Sequence, residues 1–390
     1  MPALKQLGSM PIDEFLRDYW QKKPVLIRQA FTDLQDIISA DELAGLSLEE
    51  DVNSRLIIET PTQPASTTTS TTNSTPQSNW QVQHGPLADG TFSNLPESHW
   101  SLLVQHVDAL DPNVNQFLQN FRFIPNWRLD DIMISYATDM GGVGPHFDYY
   151  DVFLIQAAGK RRWRLGQNCN SQSALVPDQP MKLLQEFTTS EDWIVEPGDL
   201  LYVPAQLAHW GEAIGESMTY SVGFRAPADA DILLEYAQEK ASSSPADIRY
   251  RDPDLQFSEA SNAIGEDAIT KVQAMLLAHC QDKTSIAKWL GEYSTELKQN
   301  IECMLAPLDE NELELSPFQL SPYCRTAYYA IDSTPKNALA LLFVNGQSWE
   351  CDLRFARDIS QYQAIEFQQL VEREQKIVLE LHALEVLCRP

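Results

Sequence analysis

The sequence predicts an α+β chain of two or three domains, and three observations carry that reading. Between residue 131 and about residue 226, short apolar runs are cut by Gly and Pro, the pattern of a β-barrel or sandwich. From residue 229 to about 300 the apolar residues recur at helical spacing. From residue 303 onward a small α+β unit follows. At 390 residues with 43% hydrophobic content the chain can bury a sizeable core, which excludes global disorder.

The elements follow in order. Phe15, Leu16, Tyr19 and Trp20 fall at helical spacing, Asp13 is placed to cap that helix, and Pro24 ends it before a short strand at 25–27. Residues 62–78 (TQPASTTTSTTNSTPQS) cannot bury enough apolar surface to order themselves. They are expected to form a mobile loop joining strands at 55–58 and 80–82. Further strands are expected at 132–137, 146–156, 161–165, 193–196, 200–203 and 219–225. The helical stretch carries Ile232, Leu233, Leu234 and Tyr236, then Ile269, Val272, Met275 and Leu276, then Ile286, Trp289, Leu290 and Tyr293. A hairpin over 338–352 turns at Asn345-Gly346, a strong two-residue turn signal. Helices are expected at 362–369 and 376–387, and no internal repeat is visible.

Composition narrows the function classes. A formal net charge of −27 repels nucleic acid phosphates and suits basic partners. No run of apolar residues is long enough to span a membrane, and the first ten residues do not read as a secretory signal. The six cysteines are scattered without a C-x-x-C pair, which favours free thiols in a reducing cytoplasm.

The most specific segment is Gly141-Gly142-Val143-Gly144-Pro145-His146-Phe147-Asp148. On a strand, His146 and Asp148 share a face. A distant histidine must complete the set. His209 is the candidate, following the Glu196-Pro197-Gly198-Asp199 turn and the apolar run 200–203. Two histidines and one carboxylate leave open octahedral positions, which suits non-haem Fe(II). His84, beside a Gly-Pro turn, and His99, His106, His279 and His382, in helical patterns, read as ordinary surface or satisfied residues.

A second clue is Lys160-Arg161-Arg162-Trp163-Arg164-Leu165. Alternation sends Arg161 inward with Trp163 and Leu165, and Lys160, Arg162 and Arg164 to solvent. A buried cation without an anion is costly. A dicarboxylate co-substrate would satisfy it, since a guanidinium matches carboxylate geometry; an acidic side chain of the protein is the other partner to weigh. Ser135 adds a hydroxyl for the same carboxylate, or is a small core polar residue.

Taken together these residues resemble the JmjC oxygenases, and in more detail their bacterial ribosomal oxygenase branch. The matching text includes Asp18 to Val25, Ser54-Arg55-Leu56, Trp80 to Pro86, Trp100 to Gln105, Gly141 to Phe153 and Tyr220 to Pro227. The Ser/Thr tract departs from that pattern as an insertion in a hairpin. The resemblance implies a double-stranded β-helix (cupin/JmjC) core over 1–228, a helical dimerisation region over 229–302 and a winged-helix-like domain over 303–390. It also implies Fe(II) and 2-oxoglutarate, held by His146, Asp148 and His209 and by Arg161 and Ser135. The implied activity is hydroxylation of an arginine in a basic large-subunit ribosomal protein, L-sixteen.

For such a substrate Tyr150 and Ser221 are candidate contacts, with Tyr149 and Asp151 beside the metal strand and the second oxygen of Asp148 as a further acceptor. The alternatives are a histidine hydroxylase of another ribosomal protein, a cupin acting on a small molecule, and a non-enzymatic nucleic-acid-binding sensor. Residues 350–390 show no basic stripe for the last of these. Leu233, Leu234, Tyr236, Leu276, Leu277, Trp289 and Leu290 exceed what one helix face needs, so a homodimer through 229–300 is expected.

Overall fold

The structure is a computed structural model that describes residues 4–32, 34, 37–61, 78–257, 262–297, 308, 310–334 and 338–390. The chain divides into two compact units, Met1–Ala226 and Pro227–Pro390.

The first unit opens with β1 (Gln6–Leu7), β2 (Met10–Pro11), α1 (Ile12–Asp18), β3 (Val25–Ile27) and α2 (Ala40–Leu46). Asp13 does not cap α1; Pro11 holds the N-cap position and Asp13 sits in the first turn, where its charge still favours the helix dipole. Then come β4 (Ser54–Pro61), β5 (Ser78–His84), β6 (Trp100–Val104), α3 (Val107–Leu110), α4 (Pro112–Leu118) and β7 (Leu129–Ala137). The unit closes with β8 (Val152–Asn168), β9 (Glu191–Val195), β10 (Leu200–Val203) and β11 (Leu207–Phe224). β4 and β5 form the expected hairpin, with Pro61 opposite Ser78. Ser78 therefore belongs to a strand rather than to the loop; residues 62–77 of the expected loop lie outside the described residues. His99 and His106 lie outside helices, His106 as the residue that precedes α3.

The strands pair antiparallel in the order β3-β10-β8-β11-β7-β6-β4-β5, with β9 on β8. The strands expected separately at 146–156 and 161–165 differ from this: β8 is one strand of 17 residues that begins only at Val152. Its first half pairs with β10 and its second with β9, while β11 follows it on the other side. The two long strands thus pass from one sheet to a second, facing sheet, which is a double-stranded β-helix. The change occurs at Gly159, whose φ of +64° favours glycine and where a Cβ would lie 1.9 Å from the Glu216 carbonyl. Opposite it the register of β11 slips between Ile214 and Met218.

The apolar run at 152–155 is continuous because both its faces are buried. Phe153 and Ile155 join Phe15, Val107, Phe117, Ile132, Ile134 and Tyr220 in the core under the helices. Val152 and Leu154 join Trp163, Leu165, Val195 and Leu201 in a separate core.

The second unit contains α5 (Asp229–Ser243), α6 (Glu266–Ala278), α7 (Lys283–Thr295), α8 (Glu310–Leu315), β12 (Gln319–Leu320), β13 (Thr326–Asp332), β14 (Leu339–Val344) and β15 (Gln347–Asp352). It ends with α9 (Leu353–Ser360), α10 (Glu372–Ala383) and β16 (Leu387–Cys388). The Asn345-Gly346 turn joins β14 to β15, both residues having positive φ as a type I′ turn needs. Of the helix expected at 362–369 only a 3-10 turn at Phe367–Gln369 forms; the longer helix lies earlier, at α9, because the Asp352 side chain accepts from the Arg354 N–H and starts it directly after β15. α10 likewise begins before residue 376 and ends before 387. α7 packs on the β13–β15 sheet: Gly291 lies flat against Phe343, where a Cβ would meet the ring at 2.3 Å. Trp289 is buried between Tyr236 and Tyr293, which removes it from the candidate interface residues.

Candidate metal centre and co-substrate pocket

His146 is not part of a regular strand, but it is locked beside β11. The His146 N–H donates to the His209 carbonyl at 3.0 Å and the His209 N–H returns the bond at 2.8 Å. That closed pair brings the rings to 4.2 Å between centroids. Asp148 stays in the same extended run because its carbonyl accepts from the Gln206 N–H. Its Oδ2 lies 3.9 Å from His146 Nε2 and 3.6 Å from His209 Nε2. One ligand atom from each of the three lies within 4.8 Å of the others, the only such metal-ligand cluster among the described residues.

The protons are placed for ligation. His146 Nδ1 is 2.9 Å from the Gly144 carbonyl and His209 Nδ1 is 3.0 Å from the Leu207 carbonyl. A carbonyl only accepts, so each Nδ1 carries the proton and each Nε2 presents its lone pair. Burial, with the His146 ring second, pulls the His209 pKa down to about 4 and keeps that imidazole neutral.

Deeper between the sheets, Arg161 is 3% exposed. Its Nη1 donates to Ser135 Oγ at 3.2 Å and to Thr219 Oγ1 at 3.3 Å, and Thr219 donates on to Gln156 Oε1 at 3.1 Å. Its Nε has no partner, and it forms no ion pair with a carboxylate among the described residues. Among the described residues, then, no acidic side chain satisfies this cation. Burial alone lowers its pKa to about 10. The Trp163 ring lies 5.3 Å from the guanidinium and 5.9 Å from the His209 ring, so one indole spans the distance from cation to metal ligands. Gly211 opposite Trp163 leaves room for that ring, since a Cβ there would lie 2.6 Å from it. Alternation along 160–165 holds, with one exception. Lys160 and Arg162 are exposed, but Arg164 is largely covered, stacked 3.8 Å over Trp210 and paired with Glu212.

A buried guanidinium without a carboxylate partner and an open facial triad, linked by the Trp163 ring, fit a dicarboxylate that chelates a divalent metal with its other end. Thr219 and Gln156 were missed from the sequence. Thr219 was findable, because it lies two residues before Ser221 on the same face of β11 and opposite Ser135.

At the mouth, Tyr150 lies in a bend that breaks the expected strand, so strict alternation does not carry from His146 to it. It is 43% exposed, yet burial of the hydroxyl and then the Asp148 charge, with Asp131 and Asp130 behind it, hold the phenol well above its usual range. Asp131, Met133 and Ser135 share one face of β7, and Ser221 pairs with Met133. Asp131 was also missed, although its alternation with Ser135 was legible. Asp151 turns away from the cavity: it is fully buried, accepting from the Tyr202 hydroxyl and from Gln21.

A JmjC domain model matches residues 116–232. The ribosomal protein uL16 3-hydroxylase of Escherichia coli (strain K12) is 35% identical over 289 residues, covering 74% of this chain and 72% of that protein. The chain belongs to the JmjC-domain ribosomal oxygenases. A probable ribosomal oxygenase of Haemophilus influenzae is 34% identical over 67% of this chain and 61% of its own length. A solved E. coli ribosomal oxygenase, in complex with cobalt and 2-oxoglutarate, superposes with a TM-score of 0.78 at 29% identity, covering 98% of this chain and 97% of that one. Membership makes this ribosomal oxygenase a 2-oxoglutarate-dependent enzyme, and His146, Asp148, His209 and Arg161 fit the metal and co-substrate that such chemistry uses. No helix among the described residues is long and apolar enough to cross a membrane.

Proposed function

We propose that this oxygenase hydroxylates an arginine side chain of the large-subunit ribosomal protein uL16, with Fe(II) as its metal. When bound, Fe(II) and 2-oxoglutarate with O₂ supply an oxidant able to break an unactivated C–H bond, the co-substrate leaving as succinate and CO₂. The chain's own residues hold the metal at His146, Asp148 and His209, anchor the far carboxylate on Arg161 with Ser135 and Thr219, and position the substrate above them.

The observation that carries the substrate reading is the acid cluster at the mouth. Asp131 stands on the same strand face as Ser135, the Tyr150 phenol feels the charges of Asp148, Asp131 and Asp130, and Ser221 lies across the sheet opposite Met133. A guanidinium needs carboxylate and hydroxyl acceptors, and these supply both. The net charge of −27 supports a basic partner by speeding encounter. The E. coli relative's name specifies uL16 and a 3-hydroxylation, and a ribosomal substrate implies work in the cytoplasm.

The second unit is proposed as a dimerisation region followed by a winged-helix-like domain. Leu233 and Leu234 on α5 and Leu276 and Leu277 on α6 are each more than half exposed, which supports a homodimer through these helices. The α9–α10 helices on the β13–β15 sheet support the second part.

The test is mass spectrometry of uL16-derived peptides incubated with enzyme, iron and 2-oxoglutarate. Gain of one oxygen on arginine is expected; oxygen on a histidine-bearing ribosomal peptide instead would move the enzyme to the histidine-specific alternative.

A further inference from the structure

Gln156 is fully buried on β8, opposite Thr219 on β11. What its side-chain amide faces decides its orientation. The nitrogen lies 2.7 Å from the Ala158 carbonyl, which only accepts, so the amide oxygen points to Thr219 Oγ1, 3.1 Å away. That oxygen also only accepts, so the Thr219 hydroxyl gives it its one proton and turns its lone pairs to Arg161. Arg161 Nη1 donates to Thr219 Oγ1 at 3.3 Å and to Ser135 Oγ at 3.2 Å. Both protons of Nη1 are thereby engaged, which sets the plane of the guanidinium, while the Nε–H keeps no partner. The backbone of Gln156 is held as well. Its N–H donates to the Asp199 carbonyl at 3.0 Å, and its carbonyl accepts from the Gly198 N–H at 2.9 Å. The Asp199 carboxylate, 2% exposed, closes that turn by accepting from the Glu196 and Gln29 N–H groups and from Arg28. The Glu196-Pro197-Gly198-Asp199 turn thus reaches the co-substrate anchor through Gln156.

We propose that Gln156 is a positioning residue for the co-substrate: it fixes the direction of the Thr219 hydroxyl, and so holds Arg161 by Nη1 with its Nε edge left for the far carboxylate of 2-oxoglutarate. This rests on the reading of Arg161 as the co-substrate anchor. A hydroxyl deprived of the Gln156 acceptor can rotate and present its proton to Nη1, donor against donor, and the guanidinium then loses one of its two holds. A fork that is already oriented has little side-chain ordering left to undergo when a carboxylate binds, which is where the affinity comes from. Gln156 thus acts on the co-substrate through a neutral hydroxyl, without touching it. A residue that merely satisfied a buried strand would behave otherwise: its removal would lower the melting temperature and leave co-substrate affinity alone.

The experiment is calorimetric titration of 2-oxoglutarate into the full chain loaded with Mn(II), beside a separate titration of Mn(II) alone. The variants are Gln156→Met, Thr219→Val, Thr219→Ser and the Gln156→Met/Thr219→Val double. Gln156→Met and Thr219→Val are each expected to raise the Kd for 2-oxoglutarate about fivefold, the weight of one hydrogen bond, with the Kd for Mn(II) changed by less than about twofold. The double should be no worse than Thr219→Val, because Gln156 acts only through that hydroxyl. Thr219→Ser, which keeps the hydroxyl, should bind 2-oxoglutarate within about twofold of wild type. Thermal melts check folding; should Gln156→Met unfold too early to titrate, Gln156→Asn, polar but one methylene short of Thr219, carries the same test. An unchanged Kd for 2-oxoglutarate in the Gln156 variant, an equal loss of Mn(II) affinity, or losses that multiply in the double would overturn the relay. Arg161→Met tells the two readings apart. If it binds 2-oxoglutarate like wild type, the anchor reading fails and takes the relay with it; if it weakens binding while the Gln156 variant does not, the relay alone fails.

Discussion

Replacing Arg161 by Met separates a co-substrate anchor from a structural cation. The guanidinium is 3% exposed, and burial alone draws its pKa from 12.5 to about 10. At about 1.4 kcal/mol per pKa step, carrying that charge costs the fold about 3 kcal/mol. The hydrogen bonds to Ser135 and Thr219 return about 1 kcal/mol each. Without 2-oxoglutarate, then, Arg161→Met should leave the melting temperature nearly unchanged, since the relieved charge offsets the lost bonds and Met fills similar space. With 2-oxoglutarate the sign reverses. A carboxylate on the guanidinium makes charge-assisted bonds together worth about 3 kcal/mol, so the variant should need about 100-fold more 2-oxoglutarate for half-maximal succinate release. Thermal melts with and without 2-oxoglutarate, beside a redox-silent divalent metal, give the stability half of the test. A co-substrate-free melting temperature lower by more than about 6 °C would make Arg161 a structural ion. An unaltered 2-oxoglutarate dependence would place the anchor elsewhere.

Three further outcomes follow from the same geometry. Ala at His146, Asp148 or His209 should abolish 2-oxoglutarate turnover and weaken iron binding while far-ultraviolet circular dichroism stays native; near wild-type succinate release from any one would remove it from the triad. Deleting residues 62–77 and joining Pro61 to Ser78 through a short turn should leave the melting temperature and peptide turnover almost unchanged, because those two residues already face each other across the hairpin; a large fall in either would refute this. Light scattering at micromolar concentration should give a dimer mass, and Asp at both Leu233 and Leu276 should give a monomer; a monomeric wild-type chain would contradict the interface.

Much of the site was legible because local rules sufficed. His146 and Asp148 needed only the two-residue period of an extended chain, and that period survived although the segment is tied to β11 by a single bridged pair rather than a regular ladder. Arg161 needed only alternation against Trp163 and Leu165. Arg164 escaped the same rule because its exposed side is covered by Trp210, a cross-strand neighbour that no local pattern reveals. The single long strand β8 read as two because Gly159 looks like a turn in sequence; in the fold it is the point where one strand changes sheets. Thr219, Gln156 and Asp131 come to the pocket through the β7–β11–β8 register, which the sequence does not state. In the second unit the helix at Leu353–Ser360 was missed because its Asp352 cap also ends the preceding hairpin.

The most direct test of the central claim is a mass comparison of uL16 isolated from cells with and without this gene. The account predicts that one arginine carries an added oxygen only when the gene is present, and that the mark disappears in a strain carrying His209→Ala. The same arginine mark with and without the gene, or oxygen added to a histidine of another ribosomal protein in its place, would contradict it.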